Sequence, residues 1–274
     1  MRRIGVDIDQ TAITRGIETH GKSGIEFIFG DFNRFEMSWI PDVITMFHVL
    51  EHLPDPVATL RNLRAVSRAG THLVVEVPIL ENGMTNDVNG FFSALHMTHF
   101  SRQSLANSLN RAGWVIEERF EQADYNGCRV LAVAGPATDG VFGAQEDEVS
   151  LARYLAHWKS AVAAVSARLD EAMLTGRVVI WGGGLHTEFL YHLTELFRVP
   201  EREFVIVDSD PMKQGRSWRG ISIIPPSRLP EIDWATAKLV VSSYGGQDEI
   251  AGRAISHGAP PARTVLLYDH VSIH

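Results

Sequence analysis

Three ionisable side chains crowd the end of one apolar run. In Asp42-Val43-Ile44-Thr45-Met46-Phe47-His48-Val49-Leu50-Glu51-His52-Leu53-Pro54-Asp55-Pro56, a strand-like stretch leads straight into His48, Glu51 and His52, and a proline-started helix follows. Ligands of an open α/β sheet bind in the crevice outside the carboxyl ends of its strands. A histidine beside a glutamate there acts as a general base, with the carboxylate orienting the ring and stabilising the imidazolium. His52 is the candidate base and Glu51 its partner. A second chemistry uses the same residues: His48 and His52, joined by His96 or His99 of the later His-Met-Thr-His segment, are candidate ligands for a divalent cation. These spacings permit a metal without requiring one. Histidines serving as polar caps of a loop are the plain alternative.

Two further acids end strand-like runs. Asp7 closes Arg3-Ile4-Gly5-Val6-Asp7, where a carboxylate accepts hydrogen bonds from vicinal ribose hydroxyls or simply stays solvated. Asp31, beside Phe32, follows residues 25–29; this pair suits an adenine amino group and ring, or is an ordinary loop acid. Gly182-Gly183-Gly184 after RVVIW lets backbone approach a phosphate at a helix N-terminus. The G-x-G-x-x-G pattern is incomplete, because Thr187 stands at its third glycine, and a tight turn explains the run equally well.

The elements that position these groups follow from periodicity. Residues 3–7, 25–29, 42–47, 71–77, about 114–120 and 128–134 read as strands. Helices are expected from Gln10 to about Thr19, from Asp55-Pro56 toward Gly70, and from Ser101 to Gly113. Residues 137–149 read as a linker. From Ser150 a long helix carries Leu151, Leu155, Trp158, Val162, Val165, Leu169 and Met173 at spacings of three and four, and Gly176 ends it. Strand-like runs 177–181, 204–208, 238–243 and 264–268 then repeat the first half's grammar. The expectation is α/β throughout, with a mainly parallel sheet in 1–136, a linker and helix over 137–175, and a second, smaller Rossmann-like domain over 176–274.

Composition narrows the function classes. The 274 residues carry a net charge of −8, which argues against a nucleic-acid partner. Cys128 is the sole cysteine, so no intrachain disulfide is possible, as befits a reducing compartment. No apolar run approaches the ~20 residues that span a bilayer. Met1-Arg2-Arg3 leads directly into a strand and lacks a signal peptide's apolar core. A cytoplasmic protein with a small-molecule substrate is expected, and a homo-oligomer is allowed.

Asp7, Gly30-Asp31, the run into His48-Val49-Leu50-Glu51-His52-Leu53-Pro54-Asp55-Pro56, Thr71-His72-Leu73-Val74-Val75-Glu76-Val77-Pro78, His96-Met97-Thr98-His99-Phe100-Ser101 and Arg111-Ala112-Gly113-Trp114 together resemble the motifs of class I S-adenosylmethionine-dependent methyltransferases. The resemblance covers about residues 3–134. It implies that Asp7, with Ile8, holds the ribose of S-adenosylmethionine, that Asp31 and Phe32 meet the adenine, that Phe47 and His48 lie near the methionine end, and that Glu51 and His52 face the acceptor. From Arg177 on, Trp181-Gly182-Gly183-Gly184, Val207-Asp208-Ser209-Asp210 and Lys213-Gln214-Gly215 resemble the carboxyl-terminal domain of bacterial sugar C-methyltransferases. That likeness implies a sugar or sugar-nucleotide acceptor in carbohydrate biosynthesis; the alternative is a non-catalytic binding or assembly module.

One departure bears on the cofactor. The family's first strand and its glycine-rich turn are expected roughly twenty residues ahead of Asp7, yet only six residues precede it. In the family that strand lies between the strands ending at Asp7 and Phe47. Three outcomes are open: the chain is an amino-terminally shortened form, the sheet closes up, or another chain supplies the strand. Weak or absent cofactor binding is expected of the chain as it stands. The zinc module of the sugar C-methyltransferases also has no counterpart.

Overall fold

The structure, a computed structural model, describes residues 2–32, 39–93, 95–122, 125–139 and 144–271. β1 (Arg3–Asp7) is followed by α1 (Gln10–His20), whose N-cap Asp9 accepts from the Thr11 N–H and whose Ile13 is buried. β2 (Ile25–Phe29) pairs parallel to β1 from Arg3↔Ile25 to Asp7↔Phe29. β3 (Val43–Phe47) leads through the His48–Leu53 turn to α2 (Pro56–Ala65). There Asp55 Oδ1 accepts from the Ala58 N–H at 2.8 Å. Pro56 occupies the first turn, where its missing donor costs nothing. β4 (His72–Pro78) pairs parallel to β3. α3 (Arg102–Arg111), β5 (Trp114–Glu121) and β6 (Gly127–Ala134) complete this half, with strand order β3-β4-β6-β5. Trp114 is fully buried and its indole N–H donates to Leu60 O at 2.9 Å.

β1-β2 and β3-β4-β6-β5 form separate sheets among the described residues. Among the described residues β1 pairs only with β2, and β3 pairs only with β4 on one side. Parallel strands this apolar are ordinarily covered by neighbours and helices, yet Val43 is 58% and Phe47 45% exposed.

α4 (Ala144–Glu171) begins six residues before Ser150, so the end of the expected linker is helical; residues 140–143 lie outside the described residues. Its buried line runs through Tyr154, Ala161, Val165 and Leu169. Val165 and Leu169 fall where the expected stripe put them. Leu151 and Leu155 stay partly exposed, and Met173 lies beyond the helix at 74% exposure with a left-handed φ of 44°. Tyr154 displaced the leucines because its ring packs inward while its hydroxyl accepts from the Phe91 N–H at 2.6 Å.

β7 (Arg177–Trp181), α5 (Leu185–Leu193), β8 (Glu203–Val207), β9 (Ser217–Trp218), β10 (Ile221–Ile224), β11 (Lys238–Val241), α6 (Gln247–Ser256) and β12 (Thr264–Val265) follow. Their six strands form one sheet in the order β12-β11-β7-β8-β10-β9. Only the β9–β10 pair is antiparallel. The expected strand 264–268 stops at Val265 because the Leu267 and Tyr268 N–H groups donate to Gln247 Oε1 instead of to a neighbouring strand.

By packing, the chain forms two compact units: Met1–Val77, Ser104–Phe120 and Arg129–Phe142 in one, Pro78–Gln103, Glu121–Cys128 and Gly143–His274 in the other. No helix of the described residues is long and apolar enough to cross a membrane.

Candidate active site

In the first unit, parallel pairing brings Asp7, Ile8, Asp31 and Phe32 to one edge. The Gly30 N–H donates to Asp7 O at 2.9 Å, tying the two strand ends together. The Asp7 carboxylate accepts from the Asp9 N–H at 2.8 Å and remains exposed. Asp31 and Phe32 are half-buried, and Ile8 is exposed.

The end of β3 builds a charged row. His48 has a left-handed φ of 53°, a conformation that histidine adopts more readily than most side chains. Its N–H donates to Glu76 O at 2.9 Å. The ring lies between two buried carboxylates, with Nδ1 3.2 Å from Glu51 Oε1 and Nε2 3.3 Å from Glu76 Oε1. Arg129 Nε donates to Glu76 Oε2 at 2.7 Å, and its guanidinium lies 5.1 Å from the centroid of the Phe47 ring. The His48 ring and the Arg129 guanidinium thus alternate with two carboxylates that are almost wholly out of water, and each carboxylate has a polar partner, as buried charges require.

His52 stands apart from this row. Its Nε2 is 3.9 Å from Glu51 Oε1, an ion-pair distance, and its side chain is 42% exposed. Glu51 therefore hydrogen-bonds His48 and reaches His52 only through charge. Glu51 Oε2 is buried without a hydrogen-bond partner among the described residues.

Glu76 and Arg129 escaped the sequence reading. The available signal was a charge inside an otherwise apolar strand, in Leu73-Val74-Val75-Glu76-Val77 and in Cys128-Arg129-Val130-Leu131. Of the candidate metal ligands, His48 and His52 belong to the first unit, and His96 and His99 to the second. His99 packs against Phe92, with ring centroids 4.8 Å apart, and lies 5.6 Å from Phe91. Burial lowers its pKa below the usual histidine range against the opposing bond to Ser93. A neutral ring in aromatic packing accounts for it.

The glycine run of the second unit works as a turn. Gly182 has φ 115°, and a Cβ there would stand 2.9 Å from Ser242 O, so only glycine fits. The Gly183 N–H donates to Asp208 Oδ2 at 2.8 Å, and Lys213 Nζ donates to the same oxygen at 3.1 Å. Burial alone would raise the Asp208 carboxyl, but the Asp210 and Gly183 N–H groups and Lys213 hold it below the usual carboxylate range. The amide that a phosphate would take is bound to the chain's own carboxylate. Gly182→Ala is expected to cost about 2 kcal/mol, from left-handed strain and the clash with Ser242. Denaturant titration measures it, and an unchanged midpoint would refute this account of the turn.

Residues 4–119 match the model of a family described as a methyltransferase domain. No curated protein matches the chain. Among solved structures, N-methyltransferase NodS from Bradyrhizobium japonicum WM9 is 18% identical; the alignment covers 49% of this chain and 74% of NodS, with a TM-score of 0.40. An S-adenosylmethionine-dependent methyltransferase from Clostridium acetobutylicum ATCC 824 is 8% identical over 50% of this chain and 76% of its own, at 0.41. One from Mesorhizobium loti is 13% identical over 48% and 80%, at 0.39. The match takes in β1 through most of β5 and the whole His48–Glu51–Glu76 row: over residues 4–119 this chain is similar to the methyltransferase-domain family.

Proposed function

We propose that this chain transfers a methyl group from S-adenosylmethionine to a small-molecule acceptor, a sugar or sugar nucleotide of carbohydrate biosynthesis, in the cytoplasm. The observation that carries methyl transfer is the family match over residues 4–119. The sugar acceptor is supported by the sequence likeness of the second domain, and the compartment by the lone buried Cys128, which needs no oxidising environment.

The residues present fit one end of the cofactor. Asp7 and Ile8 are available to the ribose, Asp31 and Phe32 to the adenine, and Phe47 and His48 to the methionine end. A glycine-rich turn beside β1 has no counterpart among the described residues. When bound, the cofactor supplies an electrophilic methyl group on a sulfonium. His52, exposed at the loop, takes the acceptor's proton. Glu51 holds His48 by hydrogen bond and lies 3.9 Å from His52 Nε2.

A second reading is a non-catalytic binding or assembly module that keeps the fold. Titration calorimetry with S-adenosylmethionine and S-adenosylhomocysteine separates the two. Residues 1–274, which include no glycine-rich turn ahead of β1, are expected to bind either weakly on their own; sub-micromolar affinity would overturn that expectation. Radiolabelled methyl transfer to nucleoside-diphosphate sugars tests the acceptor.

Any divalent metal bound within the first unit is expected to use His52 with His48 or Glu51, and to orient the acceptor oxygen. Methyl transfer would then stop on exhaustive chelation, and unchanged turnover would remove the metal from the mechanism.

A further inference from the structure

The crevice of the second sheet is filled from within. Ligands of parallel α/β sheets settle outside the strands' carboxyl ends, where successive crossovers diverge. With β8 on one side of β7 and β11 on the other, that point lies between β7 and β11. Three buried side chains meet there: His186 of α5, Ser242 after β11 and Tyr268 after β12. They meet the chain's own segment 86–88.

The hydrogen bonds admit one order. Thr187 Oγ1 donates to Gly182 O. It must therefore accept from Ser242 Oγ, 2.7 Å away. Ser242, its proton spent, accepts from His186 Nδ1 at 2.9 Å. The neutral ring then accepts at Nε2 from the Tyr268 hydroxyl at 2.7 Å, and that hydroxyl accepts from the Val88 N–H at 3.3 Å. With the ring neutral, any other placement leaves a close polar contact without a proton; the Tyr268 hydroxyl also lies 3.4 Å from Asp87 Oδ1, to which it donates when His186 carries both ring protons. The relay runs in one direction from Val88 to the glycine turn.

Other bonds hold the same segment. Tyr244 donates to Asn86 Oδ1, and Asn86 Nδ2 donates to His270 O at 2.7 Å. From α4, Trp158 Nε1 donates to Val88 O at 2.9 Å. Val88 itself is fully buried in the apolar core of this domain. Gln247 fixes the Tyr268 backbone through both of its amide atoms.

We propose that His186 and Tyr268 form an internal clamp, by which the second domain's ligand crevice holds segment 86–88 of its own chain in place of a small molecule. The clamp makes the segment that continues β4 part of the second domain, and it stands independently of methyl transfer by the first.

Hydrogen exchange of the full chain tests the clamp. Tyr268→Phe keeps the ring and removes both relay bonds. Amides of 84–92 are expected to exchange roughly tenfold faster, the equivalent of one lost hydrogen bond, while those of β7 and β8 keep their rates. Unchanged exchange at 84–92, or equal loosening of β7 and β8, overturns the proposal. Nitrogen NMR of the wild-type protein supplies a reading that needs no variant: His186 is expected as the neutral Nδ1–H tautomer, and an Nε2–H ring breaks the relay. Adding NAD or a thymidine nucleotide is expected to leave 84–92 protected. Accelerated exchange there would mark an ordinary ligand pocket and defeat the clamp.

Discussion

In an active form of the protein, His52→Ala lowers turnover by roughly 10²–10⁴, the usual worth of a general base, while cofactor affinity and thermal stability stay nearly constant. The stability part follows from geometry. The His52 side chain is 42% exposed and lies 3.9 Å from Glu51 Oε1, so its removal uncovers little buried surface. His48→Ala is the informative comparison. It leaves the buried Glu51 and Glu76 carboxylates without the ring between them, and a buried acceptor that loses its hydrogen-bond partner costs about 1–3 kcal/mol. The two variants should therefore separate, one losing rate and the other losing stability. A His52→Ala enzyme within threefold of wild type, or a folded His48→Ala protein that alone loses turnover, would transfer the base assignment away from His52.

Acidification should unfold the second domain ahead of any general charge effect. Burial pushes the His186 pKa down to about 4 from an ordinary value of 6.5. The unfolded chain takes up a proton at this residue below pH 6.5, and the folded chain resists until about pH 4. Its neutral ring therefore supports the fold fully above pH 6.5. That support is lost as the pH falls through this window, up to roughly 3 kcal/mol at 1.36 kcal/mol per pKa unit. Tyr268, Ser242 and Asp87 face the ring, with Asp87 Oδ1 at 3.9 Å from Nε2. Asp87 acts with opposite sign: burial raises its pKa, so its contribution is present at low pH and lost as the pH rises through its folded value. The net acid sensitivity should shrink in His186→Gln, which cannot charge. Denaturant midpoints between pH 7 and 4.5 measure it, and identical slopes in the two proteins would show that His186 is not the responsible group.

Strands and helices were legible wherever backbone pairing or capping decided them. Asp55-Pro56 announced α2, and RVVIW and RIGVD announced β7 and β1. Where a side chain took over a backbone's partner, periodicity misled: Gln247 ended β12 early, and Tyr154 turned the face of α4. The candidate site was half legible. Clustered His48, Glu51 and His52 are neighbours in the chain, so spacing revealed them. Glu76 and Arg129 join them only through the pairing of distant strands, and a charge within an apolar run was their sole mark. Nothing in the residue pattern tells which histidine Glu51 hydrogen-bonds, since both lie within one turn of it; the left-handed backbone at His48 decides that.

The clamp also sets a timetable for synthesis. Val88 and the Tyr268 hydroxyl that receives its N–H are 180 residues apart in the chain. At a translation rate of 5–20 residues per second, Val88 is made roughly 10–40 s before Tyr268. Through that interval Val88 and Phe91, both destined for burial, have no second domain to enter. A nascent chain halted before α5 would carry this apolar stretch exposed, a natural binding site for a ribosome-associated chaperone, and only release of the last residues would withdraw it.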